Sequence, residues 1–290
     1  MILYFDKTEK RILEEAVPGK GILKWLYNSY AGKVSLELLI KRKFLSALAG
    51  WYMDKKISAR KIKKFISQYN LDMSVYQIPE TGFETFNEFF YRKIKSSERP
   101  TGNGIISPAD GKILGFQNIN ELNSFFVKGC EFSLESFLQN KQLAEKYKDG
   151  SMFIVRLAPT DYHRFHFPAS GIVSQTDLIK GKYYSVSPLA LKNSLEIFCQ
   201  NIRTLSTLKT KHYGDILISE VGATMVGSVV QTYKSHKQVE KGAEKGYFAF
   251  GGSTVVLIFE KGKIKINDEI IRCTKNGWET KINMGETIAT

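Results

Sequence analysis

The sequence is poor in cysteine, with three among 290 residues: Cys130, Cys199 and Cys273. Their odd number and wide spacing provide neither a disulfide framework nor a metal-binding pattern, and they fit a reducing compartment. The chain also has no uninterrupted apolar run of about 18 residues, the length that a transmembrane helix needs. Residues 1–10 lack the apolar core of a signal peptide. We therefore expect a protein that binds no metal and that can lie on a bilayer without spanning it.

Acidic residues are scarce between Lys20 and Lys64, where twelve basic residues accompany only Glu37 and Asp54. The whole chain carries a net charge of +13. A basic segment of this kind either meets an anionic partner, such as nucleic acid or a membrane surface, or is a solvated face. No nucleic-acid-binding motif accompanies the charge, so we predict no nucleic-acid partner.

Apolar residues in the same region recur at helical spacing, as at Val34, Leu38, Leu45 and Leu48, and aromatic residues are interleaved with the lysines. A basic, aromatic and amphipathic helix is typical of a membrane interface. The alternative is a helix that packs on the core and exposes its basic face. The pattern itself leaves both open.

The pattern changes after residue 100. Before it, Thr85 and Glu88 have the spacing of a capping box and predict a helix start. From Ile105 onward, short apolar runs alternate with turns, which favours an antiparallel sheet or barrel. We therefore predict an α+β protein with a compact, mainly antiparallel β core.

A glycine pair near the C-terminus precedes a candidate nucleophile. Gly251 and Gly252 lead into Ser253 and then into an apolar, β-branched run at 255–259. The run predicts a buried strand, and the glycines allow backbone conformations that other residues avoid. Ser253 is thus expected at the mouth of a strand, beside a deformable peptide bond, although a plain glycine turn has the same pattern.

Two further stretches supply groups that could activate this serine. Asp110 lies in a Pro-Ala-Asp-Gly turn, and His163 and His166 lie three residues apart between two prolines. A regular strand would point the two imidazoles to opposite faces, so bringing both to one site requires a bend. Aspartate, histidine and serine can form a relay that makes the hydroxyl a nucleophile. Ordinary turn chemistry and structural histidines are the alternatives.

These stretches resemble the phosphatidylserine decarboxylase family, whose members are self-cleaving, pyruvoyl-dependent enzymes. The resemblance covers roughly residues 80–260, with the motifs in the family's order. The matching stretches are 86–90, 108–111, 161–168, 184–191, 221–228, 241–248 and 251–254. Two positions depart from the pattern: Ser187, where the family often has Asn, and Ile202, which interrupts an Asn-Glu-Arg sequence.

The resemblance implies a role for each candidate residue. Ser253 Oγ attacks the Gly252 carbonyl, with His166 as base and Asp110 completing the charge relay. The chain is cut into a 1–252 beta chain and a 253–290 alpha chain, and Ser253 becomes a pyruvoyl group, so no external cofactor is needed. This group forms a Schiff base with the amine of phosphatidylserine. His163 then donates a proton after carbon dioxide leaves, and the product is phosphatidylethanolamine.

The resemblance also suggests how the chain is organised. We predict a helical, basic, membrane-associating region at 1–100 and a catalytic β-rich domain at 101–290 that resembles a barrel-sandwich hybrid. The expected partners are phosphatidylserine in an anionic membrane surface, the two cleaved chains, and a second cleaved unit in a dimer of heterodimers. The expected location is the cytoplasmic side of the cell membrane, as a peripheral protein.

Two other functions fit parts of the sequence. One is a pyruvoyl-dependent decarboxylase of a soluble amino acid, which the basic N-terminal region disfavours. The other is a non-enzymatic barrel-sandwich binding module, which has no reason to cleave itself.

Overall fold

A computed structural model describes residues 3–15, 50–122, 132–182, 199–222, 229–249, 251 and 253–290. The apolar stripe and the basic run predicted within 16–49 lie outside the described residues. No helix in the described ranges is long and apolar enough to cross a membrane.

Strands dominate the described part of the chain, most of them after residue 100. In chain order they are β1 (Leu3–Asp6), β2 (Arg11–Glu14), β3 (Tyr76–Gln77), β4 (Lys93–Ile94), β5 (Ile105–Ile106), β6 (Gly111–Phe116), β7 (Ser151–Leu157), β8 (Arg164–His166), β9 (Gly171–Val173), β10 (Asp177–Ile179), β11 (Arg203–Lys209), β12 (Asp215–Gly222), β13 (Val229–Gln231), β14 (Gln238–Val239), β15 (Glu244–Phe248), β16 (Ser253–Phe259), β17 (Glu279–Ile282) and β18 (Thr287–Ala289).

The helices are short. Those with described bounds are α1 (Arg60–Tyr69), α2 (Phe86–Phe90), α3 (Leu134–Leu138), α4 (Lys141–Lys146) and α5 (Asp268–Lys275), with 3-10 turns at Lys56–Ala59, Ser96–Glu98 and Ile119–Glu121. Their starts follow the local sequence, because the Thr85 hydroxyl accepts a hydrogen bond from the Glu88 amide at 3.1 Å and Ser133 caps α3 in the same way.

Eleven strands form the main sheet, in the order β14-β9-β11-β12-β16-β7-β6-β17-β1-β2, with β10 also paired to β11. Neighbours are antiparallel except β1 and β17, which are parallel. The predicted α+β class with a mainly antiparallel core is confirmed. The barrel-like form is not seen in the described ranges, because the sheet order ends at β14 and β2 and does not close on itself.

Both faces of the main sheet are buried. Alternate residues of β16 belong to two different apolar clusters, with Val256 and Ile258 on one face and Val255 and Leu257 on the other. This period of two is what a strand requires. The first face is covered by residues of α3, the second by residues of β8, β15 and α5. β16 is therefore a fully buried central strand.

The N-terminal part differs from the helical region predicted for 1–100. It begins with a hairpin, β1 and β2, that joins the edge of the main sheet by pairing with β17. Residues 76–77 and 93–94 form another short pair. Helix α2 and the segment 50–69 share a separate apolar cluster that includes Met53, Ile62 and Phe89. The hairpin escapes local sequence analysis because its partner strand lies at the far end of the chain.

Candidate active site

Ser253 is the first residue of the central strand β16 and is completely buried. It lies opposite Gly222 of β12 on one side and Leu157 of β7 on the other. Gly251, two residues earlier, has a φ of 143°, a conformation that residues with a side chain rarely adopt. The predicted arrangement, a serine at the mouth of a buried strand after a glycine in a special conformation, is thus present.

His163 is the imidazole that contacts this serine. Ser253 Oγ lies 3.3 Å from His163 Nδ1, and His163 Nε2 lies 3.0 Å from the Ala158 carbonyl oxygen. Because a carbonyl can only accept, Nε2 carries the proton and Nδ1 is free to accept the serine hydroxyl proton. The ring also stacks on Phe90 with 3.8 Å between ring centroids. Its orientation is therefore fixed from two sides.

Burial sets the charge of this imidazole. His163 is completely buried, and the loss of hydration lowers its pKa from 6.5 to about 3, against a smaller opposing effect of Asp161. At neutral pH the ring is uncharged in the uncut chain. It is consequently in the form that accepts a proton.

His166 has different partners, although it lies only three residues away. Its Nδ1 is 2.9 Å from the Gly242 carbonyl oxygen, so this nitrogen donates, and its Nε2 accepts from the Tyr162 hydroxyl at 3.1 Å. Burial raises the pKa of Tyr162, which keeps that hydroxyl protonated, and burial lowers the pKa of His166. His166 also lies on the wall of a cavity of ≈ 490 Å³ that Arg99 and Lys241 share.

Asp110 is held by an arginine. Its two carboxylate oxygens accept from Arg99 at 2.9 and 2.6 Å, and the Met284 amide donates to the carboxylate at 2.8 Å. The His166 amide donates to the carbonyl oxygen of Pro108, two residues before Asp110, and the Asp110 charge favours the protonated form of His166. Asp110 and His166 are therefore neighbours, but the carboxylate is bound to a cation.

The structure thus divides the predicted residues into two pairs. Ser253 and His163 are in direct contact, whereas His166 lies beside Asp110 and bonds to Tyr162 and Gly242. The bend between the histidines directs their rings to different partners. The relay of Asp110, His166 and Ser253 stays a prediction, since it requires His166 to leave both partners.

Phe90, Arg99 and Tyr162 contact the candidate residues, and no sequence pattern predicted these roles. Phe90 and Tyr162 lie inside stretches that were recognised, but nothing in the spacing indicates a ring stacked on His163 or a hydroxyl bonded to His166. Within the described ranges, no group of three or more His, Cys, Asp or Glu side chains could hold a metal ion.

Comparison with known proteins adds to this geometry. The model of the family "Phosphatidylserine decarboxylase" matches residues 86–290, which include every candidate residue named above. The chain belongs to the phosphatidylserine decarboxylase family.

Relatives in this family match the chain along nearly its full length. A protein of Fusobacterium nucleatum is 51% identical over 98% of this chain and 96% of its own, and one of Clostridium novyi is 47% identical over 100% and 99%. One from Desulfitobacterium hafniense is 46% identical over 99% and 98%. Each is named a phosphatidylserine decarboxylase proenzyme. The similarity therefore extends to the N-terminal hairpin and the basic segment, beyond the part that the family model covers.

Proposed function

We propose that this member of the phosphatidylserine decarboxylase family is a proenzyme that cuts itself between Gly252 and Ser253. The observation that carries the proposal is the position of Ser253, which is completely buried at the start of β16, directly after the glycine pair, with His163 3.3 Å from its Oγ. A hydroxyl becomes a nucleophile when a base takes its proton, and the histidine motif supplies one imidazole against this serine and a second three residues further on. Gly251, two residues before Ser253, has a backbone conformation that residues with a side chain rarely adopt.

The cut follows from the chemistry of a serine beside a peptide carbonyl. Ser253 Oγ attacks the Gly252 carbonyl carbon, and the C–N bond breaks, so that the amide becomes an ester. Elimination across Cα–Cβ of residue 253 releases the Gly252 carboxylate, and hydrolysis of the resulting dehydroalanine releases ammonia. Residue 253 is left as a pyruvoyl group at the start of the 253–290 chain. No external oxidant or metal is needed, because every bond change is balanced by water and a proton shuttle.

The residues around position 253 fit such a group. It would stand at the N-terminus of β16 with Gly222 and Leu157 on either side and His163 against it. When present, it supplies a carbonyl that condenses with the substrate amine and withdraws electrons as carbon dioxide leaves. The proposed substrate is phosphatidylserine and the proposed product is phosphatidylethanolamine, as the relatives' names suggest.

The two histidines are assigned separate roles. His163 is proposed to return the proton to the substrate carbon, since it already lies against residue 253. Its pKa in the uncut chain is too low for a proton donor, so this role requires a bound anionic substrate that favours the protonated ring. His166, with Asp110 beside it, is proposed as the base for the cut. It can reach Ser253 only by giving up Tyr162 and Gly242.

Four single substitutions test these roles by a denaturing gel and by intact mass. Ser253→Ala should abolish cutting. His166→Ala and Asp110→Ala should leave most of the chain uncut, whereas His163→Ala should give two chains with no decarboxylation. His212→Ala is the matched control, because this histidine is exposed and outside the site.

Other outcomes have equally direct meanings. An uncut His163→Ala protein beside a normally cut His166→Ala protein would mean that the base is the histidine already in contact with Ser253. Normal cutting and turnover in both would refute a catalytic role for the histidine motif. A wild-type protein that is never cut would refute the proposed function itself.

We further propose that the protein acts as a peripheral protein on the cytoplasmic side of the cell membrane. Two apolar side chains of the segment 50–69 are more than half exposed, Trp51 at 58% and Ile57 at 54%. The same segment holds six exposed basic residues: Lys55, Lys56, Arg60, Lys61, Lys63 and Lys64. Exposed aromatic and apolar groups beside cations suit an anionic bilayer surface, where each cation contributes about 1 kcal/mol.

Vesicle co-sedimentation tests the membrane proposal and separates it from decarboxylation of a soluble amino acid. Trp51→Ser and the triple change of Lys41, Arg42 and Lys43 to Gln should each weaken binding to vesicles containing phosphatidylserine without affecting the cut. Substituting Lys261, which is exposed outside this region, with Gln provides the control. Raised salt should mimic the triple change, because exposed charges are screened over about 8–10 Å. Unchanged binding throughout would mean that the basic region is only a solvated face.

The cleaved unit is proposed to pair with a second one as a dimer of heterodimers. This rests on the family resemblance alone, and sedimentation equilibrium of the cut protein measures it directly.

A further inference from the structure

A buried cluster of charged side chains lies behind the site, and the reaction described above uses none of them. Its centre is Arg156, 5% exposed, with Glu15 and Lys112 each 7% exposed. Glu279 and Asp161 complete the cluster. Three of these five charged groups are buried and the other two are partly buried, which is costly unless each is paired.

The contacts form one continuous chain of ion pairs. The Arg156 guanidinium donates to Glu15 at 2.7 and 3.3 Å and to Glu279 at 2.6 and 2.9 Å. Lys112 Nζ lies 3.4 Å from Glu15 and 3.0 and 3.1 Å from the two oxygens of Asp161. Glu15 is therefore the carboxylate that joins both cations.

The ion pairs lead to the neighbours of Ser253 and of His163, the two residues joined by the 3.3 Å contact. Arg156 precedes Leu157, which lies opposite Ser253 in the neighbouring strand. Asp161 accepts from the Ala158 amide at 2.8 Å, and the Ala158 carbonyl oxygen accepts from His163 Nε2 at 3.0 Å. One side chain, Glu15, is thus connected to the strand beside Ser253 and to the turn that fixes the His163 ring.

Glu15 reaches this place because the N-terminal hairpin is fastened to the C-terminal part of the chain. β1 pairs with β17, and Asp6 accepts from Lys281 at 2.9 Å. Glu15 follows directly after β2 and directly precedes the segment that contains the basic region. The hairpin thus presents a carboxylate to residues that lie about a hundred positions or more further along the sequence.

We propose that Glu15 is a positioning residue for the proposed reaction. By holding Lys112 as a second carboxylate beside Asp161, it fixes the turn at 158–161 and with it the His163 ring against residue 253. The proposal rests on the proposed function and extends it to the N-terminal hairpin. Glu15 itself touches neither residue 253 nor His163 among its described contacts.

One carboxylate of the cluster can be removed without leaving either cation unpaired. The cluster holds three carboxylates and two cations, so Glu15→Gln leaves Lys112 with Asp161 and Arg156 with Glu279. No cation is left without an acid, and the protein is expected to fold. Lys112 then has one carboxylate partner instead of two, and the Asp161 turn that it contacts is held less firmly.

The experiment compares Glu15→Gln with wild type and with Glu9→Gln, the control, since Glu9 lies in the same hairpin and pairs with Arg11 at the surface. Cutting is followed by gel, and kcat and KM for phosphatidylserine in mixed micelles are expressed per mole of cut chain. We expect kcat of Glu15→Gln to fall about 10- to 100-fold, the size of loss that follows a small misplacement. KM should hardly change, because Glu15 does not touch substrate. Glu15→Asp, which keeps the charge, should recover most of the loss.

A double-substitution cycle tests whether Glu15 acts through Lys112. Once Lys112→Met is present, adding Glu15→Gln should cause little further loss, because coupled residues are not additive. Thermal unfolding is recorded for each variant, and if Glu15→Gln does not fold, Glu15→Asp and Glu15→Met with Lys112→Met replace it.

Three results would overturn the proposal: wild-type kcat in Glu15→Gln, an equal loss in Glu9→Gln, or fully additive losses in the cycle. Failure of the proposed function looks different, because then wild type itself is uncut or does not release carbon dioxide from phosphatidylserine.

Discussion

The buried, neutral state of His163 makes a quantitative prediction about acid stability. The imidazole pKa falls from 6.5 in an unfolded chain to about 3 in the fold. Below pH 6.5 the unfolded chain therefore binds a proton that the folded chain does not, so the free energy of unfolding decreases as the pH falls. At pH 4 this one residue should cost about 3 kcal/mol of stability relative to pH 7.5, at 1.36 kcal/mol per pKa unit.

The measurement requires an uncut chain, which Ser253→Ala provides. Urea unfolding of this protein and of its His163→Gln derivative is followed at pH 7.5 and pH 4. Carboxylates lower the free energy of unfolding between pH 7.5 and pH 4 in both proteins, so the difference between the two decreases is the contribution of His163. The Ser253→Ala protein should lose about 3 kcal/mol more than the His163→Gln derivative. His236→Gln, at an exposed histidine, is the control and should leave the loss unchanged.

An equal loss with and without His163 would refute the reasoning. It would mean that the ring becomes protonated in the folded protein at pH 4, and hence that it is hydrated or paired with an anion. The neutral, Nε2-protonated form assigned to His163 in the uncut chain would then be wrong as well.

Two further predictions concern the fold, before and after the proposed cut. The 253–290 chain should remain bound to the 1–252 chain in gel filtration and separate only in denaturant, because β16 pairs along its whole length with both β12 and β7. Separation of the two chains under native conditions would contradict the sheet order. In the Ser253→Ala protein, Lys245→Met should lower the free energy of unfolding by about 3–5 kcal/mol, since it strips the completely buried Glu220 of its cation, 2.8 Å away. Urea unfolding measures this, with Lys261→Met as an exposed control, and a change below 1 kcal/mol would be roughly what a surface pair gives.

Local sequence patterns predicted the elements whose cause is local. The β-branched run after Ser253 forms β16, and Thr85 caps α2 as its spacing to Glu88 indicates. Of the two hydrogen bonds of a capping box, the one from the Glu88 amide to the Thr85 hydroxyl is formed. The Glu88 carboxylate accepts from the Glu84 amide and not from the Thr85 amide. Such patterns depend on neighbours in sequence, so a single chain suffices to see them.

Structural features that depend on residues far away in the sequence were not predictable. The hairpin at 3–14 is stabilised by pairing with β17, more than 260 residues along the chain. Its strands are too short for an alternating apolar pattern to predict them. The histidine motif has the same limit. Spacing indicated that a bend must separate His163 and His166, but which ring meets Ser253 depends on how β8 is placed against the main sheet.

The position of Ser253 meets two requirements that the proposed cut places on the chain. The new terminus must be free enough to take a different covalent form, yet the short chain that begins there must not leave. As the first residue of β16, position 253 can change its chemistry without breaking the ladder that follows, because six further residues pair on both sides. Arg156, opposite Thr254, joins the hairpin through Glu15 and the 253–290 chain through Glu279. The same guanidinium thus links the first and last parts of the sequence next to the proposed cut, so the site would stay assembled once the backbone is broken there.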